Sequence, residues 1–503
     1  MNRFLLCLLL FWVCIFTAPA APPISTHGNN THESLISALH AVSESDISEW
    51  MHTMIHPGMR GRLAGDIGYD LAAEWAAGKL DSWGLKPFFA NTGFFQEFAQ
   101  PYTLVKDKGS LKLHIPFDGG RAITKEYAYA DDYWPWGVSG SGEVTGEVVY
   151  AGFGITAPEL GYDDYAGIDA TGKIVICELG IPYTGSSTDT LERWQPYREV
   201  QYKIQNAIKH GAAGMLFAYH VAGVRPTVDP DFIFLAVSDS VVSDFLSGTG
   251  RQLNEVRAGI RANLAPNSFT TGKMATMALT TEYFPDGRTS NVVAMIEGRH
   301  PELKNEFLVI GAHLDHLGMM PVLFPGALDN ASGVAIAMGV AKAIAQNDIE
   351  LDRTLIILLF GAEEVGLVGA KWFVDNFPHP REKIKMMVNL DMVGRGHSFF
   401  AFTAEPWEPL LGYLESNNDR WVHRSLMKRA SPWAYSFRPR TDGAIFSNQR
   451  IPTVHFGTRG ATTPTRYHVP EDTMDQIDIE IMRDVVKLLT MSIIEMGNAE
   501  GLE

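Results

Sequence analysis

Three stretches in the second half of this 503-residue chain are apolar almost without a break and end in ionisable residues. They are "FLVIGAH", ending at His313, "TLIILLFGAEE", ending at Glu363 and Glu364, and "IKMMVNLD", ending at Asp391. "NVVAMIEG" precedes them, "IPTVHFG" follows, and helical patterns start at Ser332 and Val365. Strands that lack polar alternation are buried on both faces. Their alternation with helices predicts an α/β fold with a mixed, mostly parallel central sheet and helices on both faces. Such sheets bind ligands beyond the carboxyl ends of their strands. The four ionisable residues above fall there, as do Asp329, just before the small-residue helix start "NASGVA", and His468 in "RYHVPEDT".

Charged groups are rarely buried unless they are paired or bound to a cation, because leaving water costs several kcal/mol or more. A ligand set of two imidazoles and three carboxylates, with no thiolate, suits zinc or a related divalent ion and does not choose among zinc, cobalt and manganese. If two ions share a carboxylate, Asp329 is the best candidate bridge, since it lies on a tight loop between the other residues in sequence. Two ions about 3.5–4 Å apart can activate a bridging water and stabilise a tetrahedral oxyanion.

In this order, "HLDHLG", "GALDNASGVA", "FGAEEVGLVGA", "NLDMVGRG" and "RYHVPEDT" resemble the M28 family of co-catalytic zinc exopeptidases. The resemblance covers about 290–495 and the opening "MRGRLAGDIGYDLAAEW". It implies two zinc ions, one held by His313, Asp329 and Asp391, the other by Asp329, Glu364 and His468. It also implies that Glu363 is the general base that takes a proton from the metal-activated water and returns it to the leaving amine. Asp315 is implied as the supporting carboxylate that orients the His313 ring, and the Asp329–Asn330 peptide bond is implied to be cis. Tyr467 is a candidate donor to the developing oxyanion, with an ordinary packing tyrosine as the alternative. The chain departs from the family's SDH-like triplet, reading "TDG" with Asp442 kept and Gly443 in third place.

A second resemblance lies upstream. "GYDDYAGIDATGKIVICELG" followed by "IQNAIKHGAAGMLFAY" is similar to a protease-associated (PA) domain. That likeness implies a β-rich inserted domain that controls access to the site, or a purely structural insertion. The expected division is a signal peptide at 1–20, the N-terminal part of a catalytic domain at 21–103, a PA-like domain at 104–272, and the zinc peptidase domain at 273–503.

The formal net charge of −17 excludes a general nucleic-acid binder, which needs a basic face. "MNRFLLCLLLFWVCIFTAPAAPP" reads as a secretory signal, too short to span a bilayer, with cleavage after Ala20. Cys7 and Cys14 then leave with it, and Cys177 remains as a buried, inert thiol. The polar segment after the cleavage point reads as poorly ordered, and the first helix is expected to follow "MRGRLAGDIGY". His316 reads as a hydrogen-bonding residue and His455 as core. The sequon at Asn330 reads as accidental, and the aromatic-rich "SPWAYSFRPR" as a contributor to the substrate pocket.

The resulting expectation is an exported, periplasmic or secreted di-zinc aminopeptidase acting on peptides with a free N-terminus. It has no membrane span after signal cleavage, and its oligomeric state is not legible. The alternatives are a carboxypeptidase, dipeptidase or glutaminyl cyclase of the same family, or a non-catalytic binding protein on the same scaffold.

Overall fold

The computed structural model describes residues 30–117, 121–185, 187–432 and 440–502. The signal segment, Asn29 and residues 433–439 of the aromatic-rich stretch lie outside the described residues. None of the described helices is long and apolar enough to cross a membrane.

Two large sheets organise the chain. At the centre of the larger one the strands Thr354–Phe360, Phe307–His313, Ile384–Leu390 and Thr453–Arg459 lie side by side, all parallel. Its flanks are antiparallel: Arg288–Ile296 joins one side and Ser398–Ala404 the other. The expected mixed sheet is therefore parallel where the near-continuous apolar runs lie. The Thr354–Phe360 and Phe307–His313 strands are buried throughout.

Helix Ser332–Ala345 is rich in alanine and glycine and is almost entirely buried. Small side chains let neighbours approach: a Cβ on Gly339 would stand 2.8 Å from Val486 of helix Ile479–Gly497. The helix is thus clamped between the sheet and that neighbour, which fixes the turn at its N-terminus.

Two helices, His32–Leu39 and Glu44–Met54, form ahead of the one expected to be first. The second is started by a capping box in which Ser43 and Asp46 satisfy each other's backbone N–H groups. Helix Ile67–Ser82 follows, and the chain turns at Gly84, whose φ is 89°.

The second sheet has eight strands, with Gly142–Tyr150, Ile174–Glu178, Gly214–Ala218 and Ile233–Val237 in parallel. Its long strand Phe269–Leu279 runs straight through the boundary expected at 272. Gly272, with φ of 69°, lies where the register shifts between Thr270 and Met274, so the glycine marks a bulge within a strand rather than a turn between domains. The chain enters and leaves this region through one neck, an antiparallel pair of Tyr102–Val105 with Thr281–Phe284. Tyr102 and Phe284 stack there at 4.6 Å.

Candidate metal centre

The four central parallel strands all point the same way, and the ionisable residues that follow them meet at one edge. His313 ends its strand, Glu363 and Glu364 follow Thr354–Phe360, Asp391 follows Ile384–Leu390, and His468 follows Thr453–Arg459. Asp329 comes from the turn 327–331 ahead of helix Ser332–Ala345, and its peptide bond to Asn330 is cis. The chain turns sharply at this edge. Ala362, Met392 and His468 take φ values of 62°, 54° and 55°, a conformation costly for side-chain-bearing residues and concentrated at functional sites.

The two carboxylate oxygens of Asp329 face different imidazoles. Oδ1 lies 3.1 Å from His313 Nε2, and Oδ2 lies 3.2 Å from His468 Nε2. Asp391 Oδ1 stands 3.6 Å from His313 Nε2, and Glu364 Oε2 stands 3.1 Å from His468 Nε2. His313, Asp329 and Asp391 form one group able to hold a metal ion; His313 with Glu363 and Glu364, and His316 with Asp329 and Glu364, form others.

Both imidazoles are oriented from behind. His313 Nδ1 donates to the backbone carbonyl of Asp315 at 3.0 Å, and His468 Nδ1 donates to that of Ala222 at 2.8 Å. A proton held on Nδ1 leaves the Nε2 lone pair of a neutral ring directed at the cluster. His468 Nε2 is buried and makes no hydrogen bond despite the oxygens beside it, so those atoms point at a common space rather than at each other. This donor set fits a divalent cation.

The Asp315 carboxylate, expected to orient the His313 ring, stands 3.8 Å from Nδ1. It instead accepts hydrogen bonds from the N–H groups of Glu363, at 3.0 Å, and Glu364, at 3.2 Å. Two backbone donors outcompete the ring, whose proton goes to the carbonyl of the same residue.

Electrostatics point the same way. Burial disfavours a proton on His313, but Glu363, Asp329 and Asp391 outweigh it and hold its proton affinity well above that of an ordinary imidazole. Burial opposes a proton on His468 as well, and Glu364 and Asp329 override it. Glu364 is held down at about 2, because His468 and His316 offset its burial and the Asp329 charge. Burial pushes Glu363 well up, against the pull of His313 and with Glu364, Asp442 and Asp391 adding to it. A cation bound here would take over the compensating role of these protons.

Several supporting residues carry no sequence signal that periodicity could read. Arg62 is fully buried and donates to the carbonyls of Leu314, Met54, Pro325 and Gly326, bracing the loops that carry His313 and Asp329. Gly61 beside it has φ of 70°, and a Cβ there would stand 2.4 Å from the Gly318 oxygen. Asp472 accepts from the N–H groups of Leu328, at 2.9 Å, and Asp329, at 3.0 Å. Asp442 is buried, with Oδ1 lacking a hydrogen bond. A side chain at Gly443 would meet His455 at 2.7 Å and Asn389 at 2.8 Å, so only glycine fits the departed triplet. His316 donates from Nδ1 to Glu364 Oε1 at 2.8 Å.

Two hollows flank the cluster. One, of about 480 Å³, opens beside Asp391 and is lined by Leu328, Met392, Phe400, Phe402 and Phe456, with Arg395 at its wall. The other, of about 490 Å³, lies between the two sheets and is lined by Glu363, Glu364 and His468 on one side and Trp136, Tyr219 and Arg225 on the other. Tyr467 lines it too, 42% exposed, its ring stacked on His468 at 3.7 Å.

Residues 291–493 match the family model Peptidase family M28, and residues 144–244 match the PA domain model. Leupeptin-inactivating enzyme 1 of Streptomyces exfoliatus is 30% identical over 173 residues, covering 33% of this chain and 37% of that protein. Aminopeptidase YwaD of Bacillus subtilis is 24% identical over 250 residues, covering 46% of this chain and 50% of that protein. The chain thus spans half or less of the length of these curated relatives. The aminopeptidase from Aneurinibacillus sp. strain AM-1 has a TM-score of 0.61 at 21% identity, covering 91% of this chain and 95% of that one. BSAP, a zinc aminopeptidase from Bacillus subtilis, has a TM-score of 0.59 at 19% identity, covering 92% and 95%. At these identities the likeness is one of fold.

Proposed function

With residues 291–493 belonging to peptidase family M28 and a PA domain ahead of them in the same chain, we propose that the protein is an exported di-zinc aminopeptidase. The observation that carries this reading is Asp329, whose two oxygens face His313 at 3.1 Å and His468 at 3.2 Å, as a carboxylate shared between two ions would. In this reading His313, Asp329 and Asp391 would hold one ion and Asp329, Glu364 and His468 the other. Divalent ions bound there would polarise the scissile carbonyl and lower the pKa of water.

The protein's own groups do the rest. Glu363, adjacent to the ligand Glu364 and raised in proton affinity, takes a proton from the attacking water and hands it to the leaving amine nitrogen, so that water is added across the peptide bond with no net proton change. Carboxylates around the cluster anchor the free α-ammonium. The apolar hollow beside Asp391 receives the first side chain, and the remainder of the peptide leads into the cleft between the sheets. Tyr467, on that cleft, donates a hydrogen bond to the developing oxyanion.

The same reading takes residues 1–20 as an export signal to the periplasm or the medium. Residues 21–103 with the segment after the Phe269–Leu279 strand make up the catalytic domain, and the second sheet is an inserted domain.

The test is to incubate the mature protein with free and N-acetylated peptides, with and without a chelator, and to read the products by mass spectrometry. Loss of N-terminal residues from unblocked peptides alone, abolished by chelation and restored by zinc, is the expected result. Trimming from the C-terminus, pyroglutamate formation or no turnover would refute the reading.

A further inference from the structure

We propose that the segment Ala222–Arg225 of the second sheet's domain is a positioning element of the metal centre, with Arg225 as its key side chain. This rests on the peptidase reading for its kinetic consequences but not for its effect on metal binding. The segment lines the cleft between the sheets, and its Ala222 carbonyl and Arg225 side chain also reach the groups that hold the site.

Two contacts carry the argument. The Ala222 carbonyl accepts the Nδ1 proton of His468 at 2.8 Å and thereby sets the tautomer and ring plane of a proposed ligand. Arg225 Nη1 donates to the backbone carbonyl of Glu364 and also to that of Val224 at 2.7 Å. The Glu363–Glu364 turn is therefore gripped on two sides: the Asp315 carboxylate takes its N–H groups, and Arg225 takes a carbonyl. Among the described residues no carboxylate forms an ion pair with Arg225.

The segment is itself held rigidly by its own domain. Trp136 Nε1 donates to the Val221 carbonyl at 2.7 Å, and Gly137 N donates to the Gly223 carbonyl at 3.2 Å. A Cβ on Gly223 would stand 3.0 Å from the Trp136 ring, so the backbone lies directly against the indole. Further along, the Thr227 hydroxyl meets that of Thr103, on the neck, at 2.5 Å. A continuous set of contacts thus runs from the neck and the second sheet to His468 and Glu364.

The experiment compares wild type with Arg225→Ala, reading zinc affinity by competition with a chelator, kcat and KM on an unblocked peptide, and the melting temperature. Loss of an outer partner of a metal ligand typically costs about 10–100-fold in affinity or activity. Arg225→Ala is therefore expected to weaken zinc binding and lower kcat by about tenfold or more, with KM changed less than about threefold. Trp136→Phe, which keeps an aromatic ring and removes the N–H, should move the same two quantities in the same direction by a smaller factor, and it serves if Arg225→Ala does not fold. A rise in KM alone would make Arg225 a substrate contact, and a fall in melting temperature alone would make it a packing residue; either overturns the proposal. A wild type that binds zinc but cleaves no peptide would sink the peptidase reading, while the zinc comparison would still decide this one.

Discussion

In the domain built on the second sheet, Asp164 and Lys203 are fully buried and Glu178 nearly so. Asp164 accepts hydrogen bonds from the N–H groups of Phe153 and Ile155 and from the Tyr162 hydroxyl. Glu178 pairs with Arg257 at 2.8 Å, and Lys203 donates to the carbonyls of Phe153 and Gly180. At the edge of the larger sheet Asp329, Glu364 and Asp442 are just as buried, with Asp391 and Glu363 beside them. Among the described residues, however, no lysine or arginine forms an ion pair with any of these five. Arg62, the cation nearby, spends its donors on carbonyls. Buried charge is tolerated when it is compensated. The first region compensates its own charge with lysine and arginine, whereas the second directs an excess of acceptors at one space, where the imidazoles of His313 and His468 offset them and a cation could be held.

Four variants test this contrast, in order from the largest expected effect to the smallest. Glu363→Gln should lower turnover by about 10³-fold, within the range for loss of a general base, while zinc content by atomic absorption stays at the wild-type level. Retained activity would remove Glu363 from its role. Asp164→Ala should cost about 3 kcal/mol in urea unfolding, since it orphans buried donors, and should leave zinc affinity unchanged. If zinc binding weakened as much as stability fell, the two regions would not be independent in the way described.

Asp472→Asn, which weakens the acceptor for the Leu328 and Asp329 N–H groups, should reverse that pattern, with zinc affinity falling by about tenfold or more and little loss of stability. Equal losses in both would blur the contrast. The smallest effect concerns pH. Burial pulls His455 down to about 4, so the unfolded chain binds a proton that the folded one does not. Stability is therefore full above about pH 6.5 and falls between about pH 6.5 and 4, by about 1.4 kcal/mol at pH 5.5. Denaturation of His455→Gln across this range should show a flatter acid limb. An unchanged slope would mean that the ring is not buried neutral.

What can be read from sequence follows from how far each contact reaches along the chain. Near-continuous apolar runs such as 307–313 and 354–360 are local, and the residues at their ends fall at the ligand edge by geometry alone. His313, Glu364 and Asp391 are legible for that reason, and His468, nine residues beyond its strand, through the motif it sits in. Arg62 acts on carbonyls as many as 264 residues away, Arg225 on one 139 away and Ala222 on a ring 246 away. No periodicity encodes such pairings, so the braces of the site are hidden where its proposed ligands are not. The Asp315 carboxylate is legible as a supporting group but not by its partner, because sequence spacing cannot tell a side-chain oxygen from a carbonyl. The helices at 32–54 escape a reading by apolar periodicity, although Ser43 and Asp46 form a local cap that the sequence does contain.

The neck formed by Tyr102–Val105 and Thr281–Phe284 has a consequence for how such a chain can grow. Because the segment between them starts and finishes at the spacing of one strand pair, the larger sheet experiences it as a closed loop, and closure entropy rises by only about 0.6 kcal/mol for each doubling of loop length. The size of the segment is therefore nearly invisible to the sheet that carries it. A shorter or longer replacement spliced at the neck would leave strand pairing intact, yet it would present a different surface, or none, to His468 and Glu364. Selection on this architecture can then act on what the looped-out segment does at the site, with little constraint from what it weighs on the fold.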